Sequence, residues 1–205
     1  MDGPVPLHVH SHFSLLRGAS SVEDLVARAA ELGYPALALT DRDALYGAVR
    51  FVQACRAAGL APILGCELTL EGGHHLTLLA ESQTGYANLC RLVTLARAGR
   101  PQGTAALPPD ALAGRTEGLL ALSGPRSGEI PRLLRAGRRT EAAQRAAWYR
   151  ERFADRFYLE LQHHLLPDDA WLMAELAALG MGLVHPLQAT PWAVAALPGL
   201  TGRWQ

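Results

Sequence analysis

The sequence predicts an α/β fold in which short strands alternate with helices around one core. Three observations predict it. Apolar runs such as Pro35-Ala36-Leu37-Ala38-Leu39-Thr40 are continuous, as in strands buried on both faces. Between them lie helical patterns with recognisable starts and stops. Their spacing suits parallel strands joined by crossover helices. Seven such strands fit a closed barrel at least as well as an open sheet.

The elements follow in order. A first strand is expected over residues 5–11. Ser20-Ser21-Val22-Glu23-Asp24 reads as a helix start, with a hydroxyl cap and acidic residues in the first turn. Leu25, Ala29 and Leu32 form the apolar face of that helix, and Gly33 ends it. The second strand is Pro35–Thr40. A helix over about 45–58 stops at Gly59. Pro62–Leu70 is a third strand, Gly72-Gly73 a turn, and His75–Ala80 a fourth strand. A helix from about Tyr86 to Arg97 precedes a Gly/Pro/Ala-rich loop near 99–116, with one helical turn expected at Pro109–Ala113. The fifth strand is Gly118–Leu122. Helices over about 127–136 and 140–154 lead to a sixth strand, Arg156–Leu161. Asp168–Leu179 is helical, Gly182–His185 starts a seventh strand, and residues near 191–205 form an irregular tail. The whole of 1–205 reads as a single domain.

Composition limits the function. The chain has 205 residues, 49% of them apolar, enough for a substantial core. Nineteen basic residues, all arginine, balance nineteen acidic ones. No overall basic field points to nucleic acid. Cys55, Cys66 and Cys90 have no CxxC spacing, which argues against a disulfide framework or a zinc ribbon and for a reducing, cytoplasmic setting. No signal peptide is expected, since Met1-Asp2-Gly3-Pro4 leads directly into a strand, and no run of apolar residues is long enough to span a membrane.

The chemistry is concentrated at strand ends. Leu7-His8-Val9-His10-Ser11-His12 places three imidazoles at alternate positions, hence on one side of an extended strand. Neutral imidazole is the commonest nitrogen ligand for metals. Parallel α/β folds gather their sites at the C-terminal ends of strands. That rule brings Asp41, just past the second strand, and Glu67, near the end of the third, to the same rim. The resulting nitrogen and oxygen set suits Zn²⁺, Mn²⁺ or Fe. The competing readings are a polar strand end for the histidines, a helix cap for Asp41 and a solvated edge for Glu67. His163-His164 and His185 could add to the rim, whereas His74-His75 precede a strand and so fall at the wrong end. Trp148, Trp171, Trp192 and Trp204 are scattered and suit core or interface. No P-loop, dinucleotide-binding glycine pattern or nucleophile elbow is present.

Leu7-His8-Val9-His10-Ser11, Ser14-Leu15-Leu16-Arg17-Gly18-Ala19-Ser20, Ala36-Leu37-Ala38-Leu39-Thr40-Asp41, Leu45-Tyr46-Gly47-Ala48-Val49-Arg50-Phe51 and Ile63-Leu64-Gly65-Cys66-Glu67-Leu68 resemble the PHP (polymerase and histidinol phosphatase) domain. His75–Ala80, Thr84–Leu92, Ala121–Gly124 and Phe153–Leu161 extend the likeness over nearly the whole chain. More narrowly, they resemble the N-terminal PHP domain of bacterial C-family DNA polymerases, replicative or error-prone. The resemblance implies a distorted seven-stranded (β/α) barrel with a metal cluster at the strand C-termini. It implies ancestral phosphoester hydrolysis, used in some polymerases for 3′–5′ proofreading. It also implies a place beside the remainder of a C-family polymerase or other replication and repair proteins, with DNA reached through the full polymerase and no membrane partner.

The departures from the family pattern are specific. Arg17 stands where the family usually has Asp, and Arg42 where it usually has His after Thr-Asp. Pro125 follows the Ser-Gly of the fifth strand in place of Cys or His. Gln188 and Thr190 occupy the ligand positions of the last motif. His8, His10, Asp41 and Glu67 remain as metal residues, with His12, Arg17, Arg42 and His185 as rim or compensating groups. An arginine cannot ligate a metal. Arg42 or Arg17 is therefore expected to pair with Asp41 or Glu67 and take over part of the metal's charge. Zinc or manganese is expected at reduced occupancy, a full trinuclear cluster is not, and a single weak site at His8, His10 and Glu67 stays open. The resulting expectation is a mainly structural or interaction module. The alternative is a working metal-dependent phosphoesterase or exonuclease.

Overall fold

The computed structural model describes residues 5–101 and 103–183. Five strands, β1 (Ala36–Leu39), β2 (Ala61–Thr69), β3 (His75–Ala80), β4 (Leu119–Leu122) and β5 (Phe157–Tyr158), form one sheet in sequence order. β1 and β2 are parallel, as are β4 and β5. β3 is antiparallel to both of its neighbours. The expected all-parallel arrangement is thus corrected at one strand, and the reason is local. Gly72 and Gly73 both take positive φ, 87° and 72°, and turn β2 directly back into β3 without a crossover.

The expected seven-stranded barrel is reduced to five strands among the described residues. The segment expected as the first strand lies beside β1: Ala38 N–H donates to Pro6 O at 2.9 Å and Thr40 N–H to Val9 O at 2.8 Å. It forms no regular ladder. Pro6 has no N–H to give, and the Val9 N–H goes to the Thr40 side-chain hydroxyl at 2.9 Å rather than to a carbonyl. The expected seventh strand is corrected at its start, because Gly182 and Leu183 end a helix; His185 lies outside the described residues. That helix is apolar on nearly all sides, so a short window of it looks like a buried strand.

The helices are α1 (Val22–Glu31), α2 (Ala48–Ala58), α3 (Gln83–Arg97), α4 (Glu129–Arg135), α5 (Arg139–Phe153) and α6 (Asp169–Leu183). Ser21 caps α1 by accepting from Asp24 N–H, and Ser82 caps α3 by accepting from Gly85 N–H. The buried face of α1 is Val22, Val26 and Ala29; the expected Leu32 is half exposed, one position beyond the helix. Short 3-10 turns cover Pro109–Leu112 and Ala154–Arg156.

Strand alternation divides the core in two. Leu37, Leu39 and Leu64 pack under α1 and α2. Cys66, Leu68, Leu76, Leu78, Leu119, Ala121 and Phe157, on the same side of their strands, pack with residues of α3 to α6. Alternate residues Ala36, Ala38, Ile63, Leu79, Leu120 and Leu122 form an inner cluster closed by Val5 and Leu7. Helices thus cover one face, and the N-terminal segment crosses the other. Glu67 and Thr77 share the inner parity and are paired across β2 and β3, next to His75 opposite Thr69. This end of the inner face carries the polar groups.

Candidate metal centre

Glu67 sits at the centre of the inner rim and is buried, with 4% of its surface exposed. Its Oε2 lies 3.1 Å from His8 Nε2 and 3.8 Å from His10 Nε2. Its Oε1 lies 3.2 Å from His75 Nδ1 and 3.4 Å from Arg42 Nε. The other side of the His8 ring meets Glu160, with Nδ1 2.7 Å from Oε1. The His8 and His10 rings meet edge to face at 5.1 Å between centroids. One ligand atom each from His8, His10 and Glu67 lie within 4.8 Å of one another. His10 Nε2 is buried and takes no hydrogen bond. A buried nitrogen without a partner is costly unless something else satisfies it.

Charge follows from these contacts. Burial disfavours the charged His8 ring, but Glu160 and Glu67 outweigh that and raise its pKa to about 10. Burial likewise opposes ionisation of Glu67, yet the hydrogen bond from His8 and the neighbouring imidazoles hold it down at about 2. Burial lowers the pKa of His10, only partly offset by Glu67. Burial also lowers His75, to about 4, with Arg42 and Arg17 acting in the same direction against Glu67. At neutral pH the metal-free rim is therefore an ionised Glu67, a charged His8 and two neutral imidazoles. The neutral ring of His10 is in the form that ligates metals.

The expected residues divide clearly. His8, His10 and Glu67 converge. Asp41 does not join them, although it is buried: its carboxylate accepts from Ser11 N–H at 2.7 Å, Ser11 Oγ–H at 2.7 Å and Ser14 Oγ–H at 2.6 Å. It clasps the loop that carries the histidines. His12 lies apart from the other two histidines, because the chain turns after Ser11, with Ser14 N–H donating to Ser11 O at 2.9 Å. The alternation ends there, and the His12 ring packs at a tilt against Phe13, 4.3 Å between centroids, and approaches Ser20 O at 3.4 Å. Of the two arginines, Arg42 makes the expected ion pair with Glu67 and also meets the His75 ring nitrogens through Nη2. Arg17 is exposed, and among the described residues no ion pair joins it to Asp41 or Glu67. His185, Gln188 and Thr190 lie outside the described residues.

Two site residues escape the sequence reading. His75 stands at the start of its strand, the end that the strand-end rule excludes. The Gly72-Gly73 hairpin reverses β3, so the start of β3 meets the ends of its parallel neighbours. Glu160 follows β5 by two residues, where the strand-end rule alone could have found it.

Comparison with known proteins agrees with this picture. The model of the PHP domain family matches residues 6–164. The chain is 50% identical over 202 residues to an error-prone DNA polymerase of Symbiobacterium thermophilum, covering 91% of this chain and 19% of that protein. It is 40% identical over 199 residues to a DNA polymerase III subunit alpha of Treponema pallidum, covering 88% of this chain and 17% of that protein. It is 41% identical over 185 residues to an error-prone DNA polymerase of Pseudomonas savastanoi, covering 90% of this chain and 17% of that protein. The chain thus spans less than a fifth of the length of these relatives. Among the described residues no helix is long and apolar enough to cross a membrane. A family match over more than three quarters of the chain, joined to two histidines and a glutamate meeting at the strand ends, establishes that this chain belongs to the PHP domain family.

Proposed function

We propose that this chain is the PHP portion of a C-family DNA polymerase, with a mainly structural or interaction role and a metal site reduced to a single ion. The observation that carries the reduction is Arg42. Its guanidinium holds Glu67 Oε1 from one side, while Asp41 spends both carboxylate oxygens on Ser11 and Ser14. A fixed cation beside the carboxylate disfavours further cations at the same rim. The residues do fit one ion, because His10 Nε2 is buried without a partner and shares a ligand-sized cluster with His8 and Glu67. Those three residues would hold it, and a divalent ion there would lower the pKa of a water and polarise a phosphoryl oxygen. His8 must give up its second proton to take part, and Glu67 must supply Oε2 while Oε1 stays with Arg42. Zinc and manganese both suit the donor set.

The same three-residue cluster favours weak phosphoesterase activity as a second reading. Elemental analysis of the chain purified without chelator separates the readings from a full cluster. The expected content is one ion or less per chain, and two or three tightly held ions overturn the reduced site. Nitrophenol release from a model phosphoester and nucleotide release from single-stranded DNA, with Mn²⁺ or Zn²⁺ added, are expected near the buffer rate. A rate well above buffer that disappears in His8→Ala and Glu67→Ala replaces the structural role with the enzymatic one.

A further inference from the structure

We infer that Glu160 is a positioning residue for the metal site, holding the His8 ring so that Nε2 is the nitrogen offered to an ion. This rests on the single-ion reading given above. Glu160 lies 152 residues from His8 in sequence, yet its Oε1 is 2.7 Å from His8 Nδ1. The other groups near Nδ1 are farther: Thr77 Oγ1 at 3.3 Å and Gln162 Nε2 at 3.4 Å. A carboxylate accepts hydrogen bonds and donates none, so the proton belongs on Nδ1. A neutral imidazole with its proton on Nδ1 has its lone pair on Nε2, the atom that faces Glu67 Oε2 at 3.1 Å. Metal-bound histidines commonly give their other N–H to a carboxylate in this way, which fixes the ring and raises its basicity.

Glu160 is itself held. Its backbone N–H donates to Ser123 Oγ at 2.9 Å, just beyond β4, and Gln162 Nε2 donates to Oε1 at 2.6 Å. Gln162 Oε1 in turn meets His164 Nε2 at 3.1 Å. A chain of contacts therefore runs from the loop after β5 through Glu160 to His8. The side chain is shielded, with 9% exposed, and its Oε2 is buried without a partner. A group kept out of water and only half satisfied is costly to retain as packing alone. Its Oε1 accepts from two side chains, Gln162 beside it in the loop and His8 at the metal site.

The test compares the chelator-stripped wild-type chain with Glu160→Gln and Glu160→Leu. Calorimetric titration with Zn²⁺ gives affinity, melting of the metal-free chains gives stability, and long-range ¹⁵N–¹H spectra of the zinc-loaded chains give the His8 tautomer. Glu160→Leu is expected to weaken zinc binding by about 10- to 100-fold and to lose the single Nδ1–H tautomer. Glu160→Gln keeps a neutral acceptor and is expected to lose roughly tenfold, the low end of that range, while keeping the tautomer. A purely structural role would lower melting without this split between the variants. Wild-type affinity and tautomer in Glu160→Leu overturn the inference and leave the single-ion site standing. If Glu160→Leu does not fold, unchanged zinc affinity in Glu160→Gln overturns it. A wild-type chain that takes up no zinc overturns both the inference and the single-ion reading.

Discussion

Asp41→Ala tests whether this carboxylate is a loop clasp or a metal ligand. Asp41 is 2% exposed and accepts from three donors at 2.6–2.7 Å. Ser14 Oγ, one of the donors, also accepts from Arg42 N–H at 3.0 Å, so the clasp joins the loop after His10 to the strand end that carries Arg42. Hydrogen bonds to a charged group contribute roughly 1.5–3 kcal/mol each, and an orphaned buried donor costs about 1–3 kcal/mol. The Ser11 N–H cannot turn elsewhere and counts in full, whereas the two hydroxyls can rotate. Taking about 2 kcal/mol for the first and about 1 kcal/mol for each hydroxyl, Asp41→Ala loses roughly 4 kcal/mol. With a urea dependence of about 2 kcal/mol per molar, the unfolding midpoint falls by about 2 M. Asp41→Asn keeps one acceptor and should lose roughly half as much. The assay is urea unfolding followed by circular dichroism, with zinc titration of the same proteins. A midpoint within about 0.3 M of wild type, joined to a loss of zinc binding, refutes the clasp and makes Asp41 a ligand.

Two further outcomes follow from the same geometry. Gly18→Ala places a Cβ 2.1 Å from the Ser11 backbone oxygen, a contact that forces the His10–Ser11 segment to move. It should cost about 1–3 kcal/mol in urea unfolding and weaken zinc binding, and a variant with wild-type stability and affinity contradicts the packing described here. Asp168 and Asp169, at the start of α6, hold the segment between β4 and α4 through Arg126, at 2.7 Å and 2.6 Å. The hydrogen bond from Arg126 lowers the Asp168 pKa; for Asp169, burial opposes the shift but the His164 and Leu166 N–H groups and Arg126 outweigh it. A depressed folded-state pKa adds stability that is complete above the unfolded value, about 3.9, and is lost as pH falls through the folded value below it. Melting temperatures from pH 6 down to pH 3 should therefore fall more steeply in wild type than in Asp169→Asn. Parallel curves would show that the pair contributes nothing to acid sensitivity.

Much of this molecule is determined by local sequence. Ser21 and Ser82 cap helices because a short hydroxyl before an apolar period satisfies a free N–H. β1 lies within the apolar run that predicts it and β2 starts and ends one residue before its own, since continuous burial needs continuous apolar side chains. His8, His10 and Glu67 meet because strand parity and the strand-end rule put them on one rim. Tertiary structure decided the rest. Periodicity is blind to strand direction, so the reversal of β3 by a glycine turn, which delivers His75 to Glu67, emerges only from pairing. Burial and hydrogen-bond partners assign the carboxylates: Asp41 to two serines, Glu67 to the imidazoles and Arg42, and Glu160 to His8 from 152 residues away. The sequence determines which groups are available and which face each one takes. Only the fold determines which acceptor reaches which donor first, because a carboxylate is a ligand, a clasp or a positioning group according to what lies within about 3 Å of it.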